Sequence, residues 1–342
     1  MNARGRICPL SYRHGAGALV DATSLAADAA WIVGGLYGNV NALAAIEARV
    51  AADADRDRDR TRLIFNGDFH WFDTDPEDFA TIQRHVLAHT ALAGNVEAEL
   101  AAPDDEAGCG CAYPEFIDDA TVERSNQIIE QLRATAAGLP GATDALATLP
   151  RLLRLGIADR TVGVIHGDPD ALAGWGLAVE RMNGAAPGTD AATVRQWARA
   201  ARVDAFACTH TCLPWTGIPA GVPVINNGSA GMPNFRGRVD EVLVSRIAPI
   251  DRPAPDALYA ITADGLRYEA IPITIDGDGW RKRFNTNWPP GSPAHESYYR
   301  RLAAGPAHAI GDAVPLQADQ SVHQGDPPSG GNAVDRRGRR DP

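Results

Sequence analysis

Ala29-Ala30-Trp31-Ile32-Val33-Gly34-Gly35-Leu36-Tyr37-Gly38-Asn39-Val40 is an apolar run that stops in two glycines and restarts as a helix. Consecutive apolar residues suit a buried strand, and Leu43, Ile46 and Val50 then recur at roughly helical spacing. Asn39 stands where a side chain caps the first backbone N–H groups of that helix. Glycines let a backbone pass close to a ligand, and a helix start favours an anion such as phosphate. The loop alone leaves two readings open, an ordinary βα turn and a phosphate site contacted by Gly38 and Asn39.

Outward from this unit, five further apolar runs end in polar clusters. Leu63–Asn66 leads into Gly67-Asp68-Phe69-His70, Ala91–Ala93 into Gly94-Asn95-Val96-Glu97, and Val162–Ile165 into His166-Gly167-Asp168. Phe206–Thr209 leads into His210-Thr211-Cys212, and Val222–Ile225 into Asn226-Asn227-Gly228-Ser229. Strands ending in glycine, histidine and carboxamide clusters predict one convergent site at a sheet edge, where α/β proteins place ligands. A lone histidine is more often a hydrogen-bonded core residue, but the ordered set reverses that weighting. Strands are predicted at 31–34, 63–66, 90–93, 161–165, 205–209, 222–226, 242–248, 257–262 and 266–273. The early ones are separated by helices and the later ones only by turns, the pattern of a mixed two-sheet α/β protein with an antiparallel half.

The chain has 342 residues, 45% of them hydrophobic and 22% charged, which suits one large globular domain with accessory segments. A net charge of -11 argues against a nucleic-acid duplex or anionic-membrane surface. No stretch has the length of a membrane span and Met1–Ile7 has no signal-peptide core behind its arginines, so a cytoplasmic location is expected. Cys8, Cys109, Cys111, Cys208 and Cys212 show no disulfide framework and are expected to be reduced thiols. The charged run 53–62 reads as a solvated helix end and loop. Residues 101–150 read as an inserted helical segment of a domain spanning 1–300, and 301–342 as a disordered tail with little apolar surface.

The ordered series resembles the calcineurin-like metallophosphoesterase superfamily, in particular its small prokaryotic phosphodiesterase-like branch. That family's pattern runs Asp-x-His-Gly-Asn, Gly-Asp-x-x-Asp, Gly-Asn-His-Glu, His-Gly, Gly-His-Thr-His and Asn-Pro-Gly-Ser. Here the corresponding stretches are Gly35–Asn39, Gly67–Trp71, Gly94–Glu97, His166-Gly167, Thr209–Cys212 and Asn226–Ser229, within roughly residues 31–273. The resemblance implies a four-layer α/β/β/α sandwich of two mixed β-sheets with a metal site at the strand ends. It also implies hydrolysis of a phosphomonoester or phosphodiester by metal-activated water, with a small phosphorylated substrate.

The departures are specific. The positions implied for one metal are Gly35, Tyr37, Asp68 and Cys212, so three of its four side chains have changed. Those implied for the second metal are Asp68, Asn95, His166 and His210, a complete set that suits Mn, Fe or Zn better than Mg or Ca. One or two divalent transition metals per chain are therefore expected, at a reduced or rebuilt site. The implied leaving-group acid is Val96. If residues 68–70 stay extended, Asp68 and His70 point the same way, making His70 a candidate acid or ligand against simple packing beside Trp71. Tyr37 and Cys212 are either additional ligands, as phenolate and thiolate, or fillers of the first site. Cys109 and Cys111 either fold over the site or are unliganded loop thiols. Catalytic roles fall to His210, His70 and Asn95, and substrate contacts to Gly38, Asn39, Asn227 and Ser229. The alternative is a non-catalytic relative that binds a phosphorylated ligand or a protein partner.

Overall fold

The computed structural model describes residues 4–53 and 60–314; residues 54–59 of the charged run, and 315–342 of the expected tail, lie outside them. Its strands are β1 (Thr23–Ala27), β2 (Ala29–Val33), β3 (Thr61–Asn66), β4 (Thr90–Leu92), β5 (Leu152–Ile157) and β6 (Arg160–Ile165). They continue with β7 (Ala205–Cys208), β8 (Trp215–Gly217), β9 (Val224–Asn226), β10 (Glu241–Pro249), β11 (Tyr259–Ala263) and β12 (Leu266–Thr274). Two six-stranded sheets result, ordered β1-β5-β6-β7-β9-β8 and β11-β12-β10-β2-β3-β4. Both are mixed: β2 pairs parallel with β3 and β3 with β4, whereas β10 to β12 form the expected antiparallel half.

The two-residue period of each strand builds the layers. In β2, Ala30 and Ile32 face the core between the sheets, with Ile64 of β3 and Ala205 and Ala207 of β7. Trp31 and Val33 face the other way, with Leu63 and Phe65, against helices that include Val40–Asp53, Pro76–Leu87 and Asp119–Ala137. Phe206 and Cys208 point outward from the other sheet against the helix Ala191–Ala201. The strand positions just named are apolar because the centre of each sheet is covered on both faces, which is the α/β/β/α sandwich.

The fold extends past residue 300. The helix Pro293–Ala304 buries Leu302, and the following segment buries His308 and Ala313, so residues 301–314 are packed rather than part of a loose tail. Residues 101–150 carry the helices Asp119–Ala137 and Ala142–Ala147. Among the described residues, no helix is long and apolar enough to cross a membrane. All five cysteines are unpaired.

Candidate functional site

β3 ends at Asn66 and β4 at Leu92 in one sheet; β6 ends at Ile165 and β7 at Cys208 in the other. The loops that follow bring Asp68, Asn95, His166 and His210 together across the seam between the sheets. Asp68, His166 and His210 each offer a ligand atom within 4.8 Å of the others, and all three are buried. Asn66 stitches the seam, its Nδ2 donating to the Ile165 carbonyl at 2.7 Å while its own carbonyl accepts from His166 Nδ1 at 2.7 Å.

That last bond fixes the chemistry of His166. With Nδ1 carrying a proton, Nε2 points its remaining valence at Asn95 Oδ1, 3.2 Å away, and at Asp68 Oδ2, 3.3 Å away. Asn95 cannot turn its amide inward, because Nδ2 donates to the Cys109 carbonyl at 3.1 Å. Three electron-pair donors therefore converge, an arrangement that a metal ion or a proton on Nε2 satisfies. Burial opposes a charged ring, but the adjacent Asp68 carboxylate lifts the His166 pKa above its ordinary value. Asp68 is correspondingly held low, the His166 ring outweighing burial. His210 donates Nε2–H to the Cys111 carbonyl at 3.1 Å, and its buried Nδ1 has no partner. Burial pushes its pKa down to about 4, so the ring is neutral and its free electron pair is a ligand in waiting. The four residues fit a divalent metal with imidazole affinity, and the orphaned Nδ1 is the atom that best marks the fit.

The backbone around them is strained. Tyr37, Asp68, His210 and Cys212 all have positive φ, at 52°, 53°, 39° and 63°, a region that L side chains occupy at a cost. Such residues gather at functional sites. Glu97 holds one of these turns: its buried carboxylate accepts from the amides of Asp68 at 2.7 Å, Phe69 at 3.0 Å, His70 at 3.4 Å and Gly94 at 2.8 Å.

The first-metal positions are filled by protein. A Cβ on Gly35 would lie 2.2 Å from Tyr37 Cζ, so the tyrosine ring covers the space a side chain at 35 would enter. The Tyr37 hydroxyl and Cys212 Sγ are 2.8 Å apart, and burial raises both of their pKa values.

His70 corrects the sequence reading. The positive φ of Asp68 breaks the two-residue period, and His70 turns into the core, where Nδ1 meets Asp73 Oδ2 at 2.6 Å and the ring stacks on Phe79 at 3.7 Å. It lines no part of the cleft. The substrate contacts are corrected as well. The amides of Tyr37, Gly38 and Asn39 are bonded to the carbonyls of Asp68, Phe69 and Leu36, and Asn39 Oδ1 caps Ala42 N at 2.9 Å, so the amides and cap of this βα turn are taken up by the protein itself. Ser229 Oγ donates to the Gly35 carbonyl and accepts from Gly231 and Met232. Asn227 is buried with its carboxamide unpartnered, and none of Gly38, Asn39, Asn227 or Ser229 lines the cleft. Asp168 accepts from the amides of Asp170, Ala171 and Gly176 and so organises its own turn.

The cleft over Asp68, Asn95 and His210 is walled by Tyr37, Trp71, Tyr113, Trp175 and Tyr298, with Val96, Cys111 and Cys212, and its void out to the open mouth is about 420 Å³. Trp280 and Trp288, by contrast, are core residues. The inserted segment closes one side, since the Cys111 carbonyl accepts from both His210 and Trp175 Nε1. Sequence reasoning missed Trp71, Tyr113 and Tyr298 as wall residues; no local motif marks them.

No protein-family model matches this sequence, and no curated protein does. Among solved structures, the chain is similar to a hypothetical protein of Pyrococcus horikoshii, with a TM-score of 0.56 at 14% identity over 83% of this chain and 100% of the other. It is also similar to a metallophosphoesterase of Sphaerobacter thermophilus, with a TM-score of 0.48 at 16% identity over 82% of this chain and 100% of the other. The likeness is one of fold, two mixed six-stranded sheets packed between helices.

Proposed function

We propose that this protein is a metal-dependent phosphoesterase that works from the single site formed by Asp68, Asn95, His166 and His210, on a small phosphorylated substrate. The observation that carries the reading is the convergence of Asn95 Oδ1, Asp68 Oδ2 and His166 Nε2, with His210 Nδ1 left unpartnered close by. A bound divalent transition metal, Mn, Fe or Zn, would supply Lewis-acid polarisation of the phosphoryl oxygen and a more acidic water. The chain's own residues do the positioning. Asn66 fixes the His166 tautomer, Cys109 aims the Asn95 oxygen, the Cys111 carbonyl orients His210, and Glu97 holds the Asp68 turn.

A second reading, a rebuilt two-metal site using Tyr37 and Cys212, draws on the 2.8 Å contact between their polar atoms. The ring packed over Gly35 favours the filler role instead. Metal analysis of purified protein, with turnover of aryl phosphodiester and monoester by wild type, Asn95→Ala and His166→Ala, separates these. About one metal per chain is expected, with activity lost in both variants. Protein that neither retains nor responds to Mn, Fe or Zn sinks the hydrolase reading and leaves a non-catalytic binding protein. Two metals, one of them released by Tyr37→Phe or Cys212→Ala, establish the rebuilt site.

A further inference from the structure

We infer that the cleft selects phosphodiesters whose leaving group is an aromatic oxide or a comparably stable anion, and that phosphomonoesters and simple alkyl diesters are poor substrates. This narrows the hydrolase reading above and rests on it. Three independent features of the cleft agree: its walls, its charge and its supply of protons.

The walls are aromatic. Tyr37, Trp71, Tyr113, Trp175 and Tyr298 make up five of the eleven lining residues. Trp175 sits edge-on to His210 at 5.4 Å and beside Tyr113 at 5.8 Å, so a planar group entering over His210 meets ring faces and edges. Offset and edge-to-face packing of rings adds about 0.5–1.5 kcal/mol beyond area burial.

The charge is sparse. Among the described residues, no lysine or arginine lines the cleft. Arg301 lies behind the wall, where its guanidinium donates to the carbonyls of Cys212 and Pro233, both at 2.9 Å. One divalent ion beside the Asp68 carboxylate leaves a single positive charge. That balances a diester, which carries one negative charge, but not a monoester, which approaches two near neutral pH. An unmatched charge in a desolvated cleft is strongly unfavourable.

Among the described residues, the cleft lining offers a leaving group only weak proton donors, phenols, thiols, indoles and a neutral imidazole. Val96 lines the cleft beside Asp68, its amide 3.2 Å from Asp68 Oδ1, and its side chain has no proton to give. His210 directs Nε2–H at the Cys111 carbonyl. The hydroxyl of Tyr37 meets Cys212 and that of Tyr113 meets Ser125. Phenols, with an ordinary pKa of about 10, are weak acids for this purpose. An alkoxide needs such a proton to depart; an aryl oxide does not. The water oxygen forms a bond to phosphorus, the phosphorus–oxygen bond to the aryl group breaks, and its electron pair leaves on the aryl oxygen. One proton of the water ends on that oxygen in solution, giving a phenol and a phosphomonoester with no change of oxidation state.

The test uses full-length, metal-loaded protein. Turnover of substituted phenyl methyl phosphates should fall steeply as the phenol becomes less acidic, and the nitrophenyl member should exceed nitrophenyl phosphate in kcat/KM by about tenfold or more. Val96→His should raise alkyl-diester turnover relative to aryl-diester turnover by roughly 10²-fold. A readout free of turnover is tryptophan fluorescence: diphenyl phosphate should quench Trp71 and Trp175 at concentrations where dimethyl phosphate does not. Equal or faster hydrolysis of the monoester, or a flat leaving-group series, overturns the selectivity while leaving the hydrolase intact. Inactivity on every ester overturns the hydrolase reading, and equal quenching by the two phosphates then overturns the aromatic cleft as well.

Discussion

Gly35 and Tyr37 are interdependent. With a Cβ at 35 placed 2.2 Å from the tyrosine ring, Gly35→Ala is expected to destabilise the protein by about 1–3 kcal/mol, as overpacking does. In a Tyr37→Ala background the same change should be tolerated, giving a coupling of about 0.5–3 kcal/mol in a denaturant double-mutant cycle. Additive losses would mean that the ring does not fill that space. Glu97 makes a separate prediction. Its carboxylate serves four amides of the turns that carry Asp68 and Asn95, so Glu97→Gln should lower stability by about 1–3 kcal/mol and also weaken metal retention. Loss of stability with unchanged metal affinity would reduce it to a structural residue. The convergence of Asp68, His166 and His210 was legible because residue type and order carry it. His70 was not, because the positive φ of Asp68 comes from long-range contacts and no sequence period reports it. Asn39 and Ser229 have the polarity of ligand contacts, yet their atoms are consumed by the backbone beside them.

At the scale of elements, strands with apolar residues on both faces were readable from their runs, as β2, β3, β6 and β7 show. β1 was missed since Thr23-Ser24-Leu25 is an edge strand with exposed faces, and β8 because Trp215-Thr216-Gly217 holds a single large apolar residue and so makes no apolar run. The alternation of Leu152–Ile157, half-buried then buried, follows the two-residue period that Leu153, Leu155 and Ile157 carry in the sequence. Helix ends offer a cleaner test. Ala191–Ala201 terminates at Arg202 in the left-handed conformation, φ 51°, with its side chain exposed. Arg202→Gly should therefore raise stability by about 0.5–1 kcal/mol, read as an increase in Tm. No gain would indicate that the Arg202 side chain contributes as much as the strain removes.

Across the whole molecule, the C-terminal segment is bound to the site's own loop. His308 donates Nε2–H to the Pro214 carbonyl at 2.9 Å and stacks on Phe235. Burial, opposed by that carbonyl, lowers the His308 pKa in the folded protein. The unfolded chain, with a pKa near 6.5, then binds more protons, so this group's share of stability is present above about pH 6.5 and lost as pH falls towards the folded value. A His308→Phe variant should show a shallower loss of Tm between pH 7.5 and 5; an unchanged slope would assign the acid sensitivity elsewhere. Truncation after Ala304 should lower Tm because His308 and Ala313 lose their buried contacts. The tail boundary was misplaced in the sequence because polar composition there concealed those two anchors. The proposed ligand set is divided, with Asp68 and Asn95 supplied by one sheet and His166 and His210 by the other. A bound ion would thus act as a rivet through the seam. Pulled apart in a force experiment that loads the two sheets in shear, the protein should rupture at higher force with metal than after chelation, and Asn95→Ala should remove the difference.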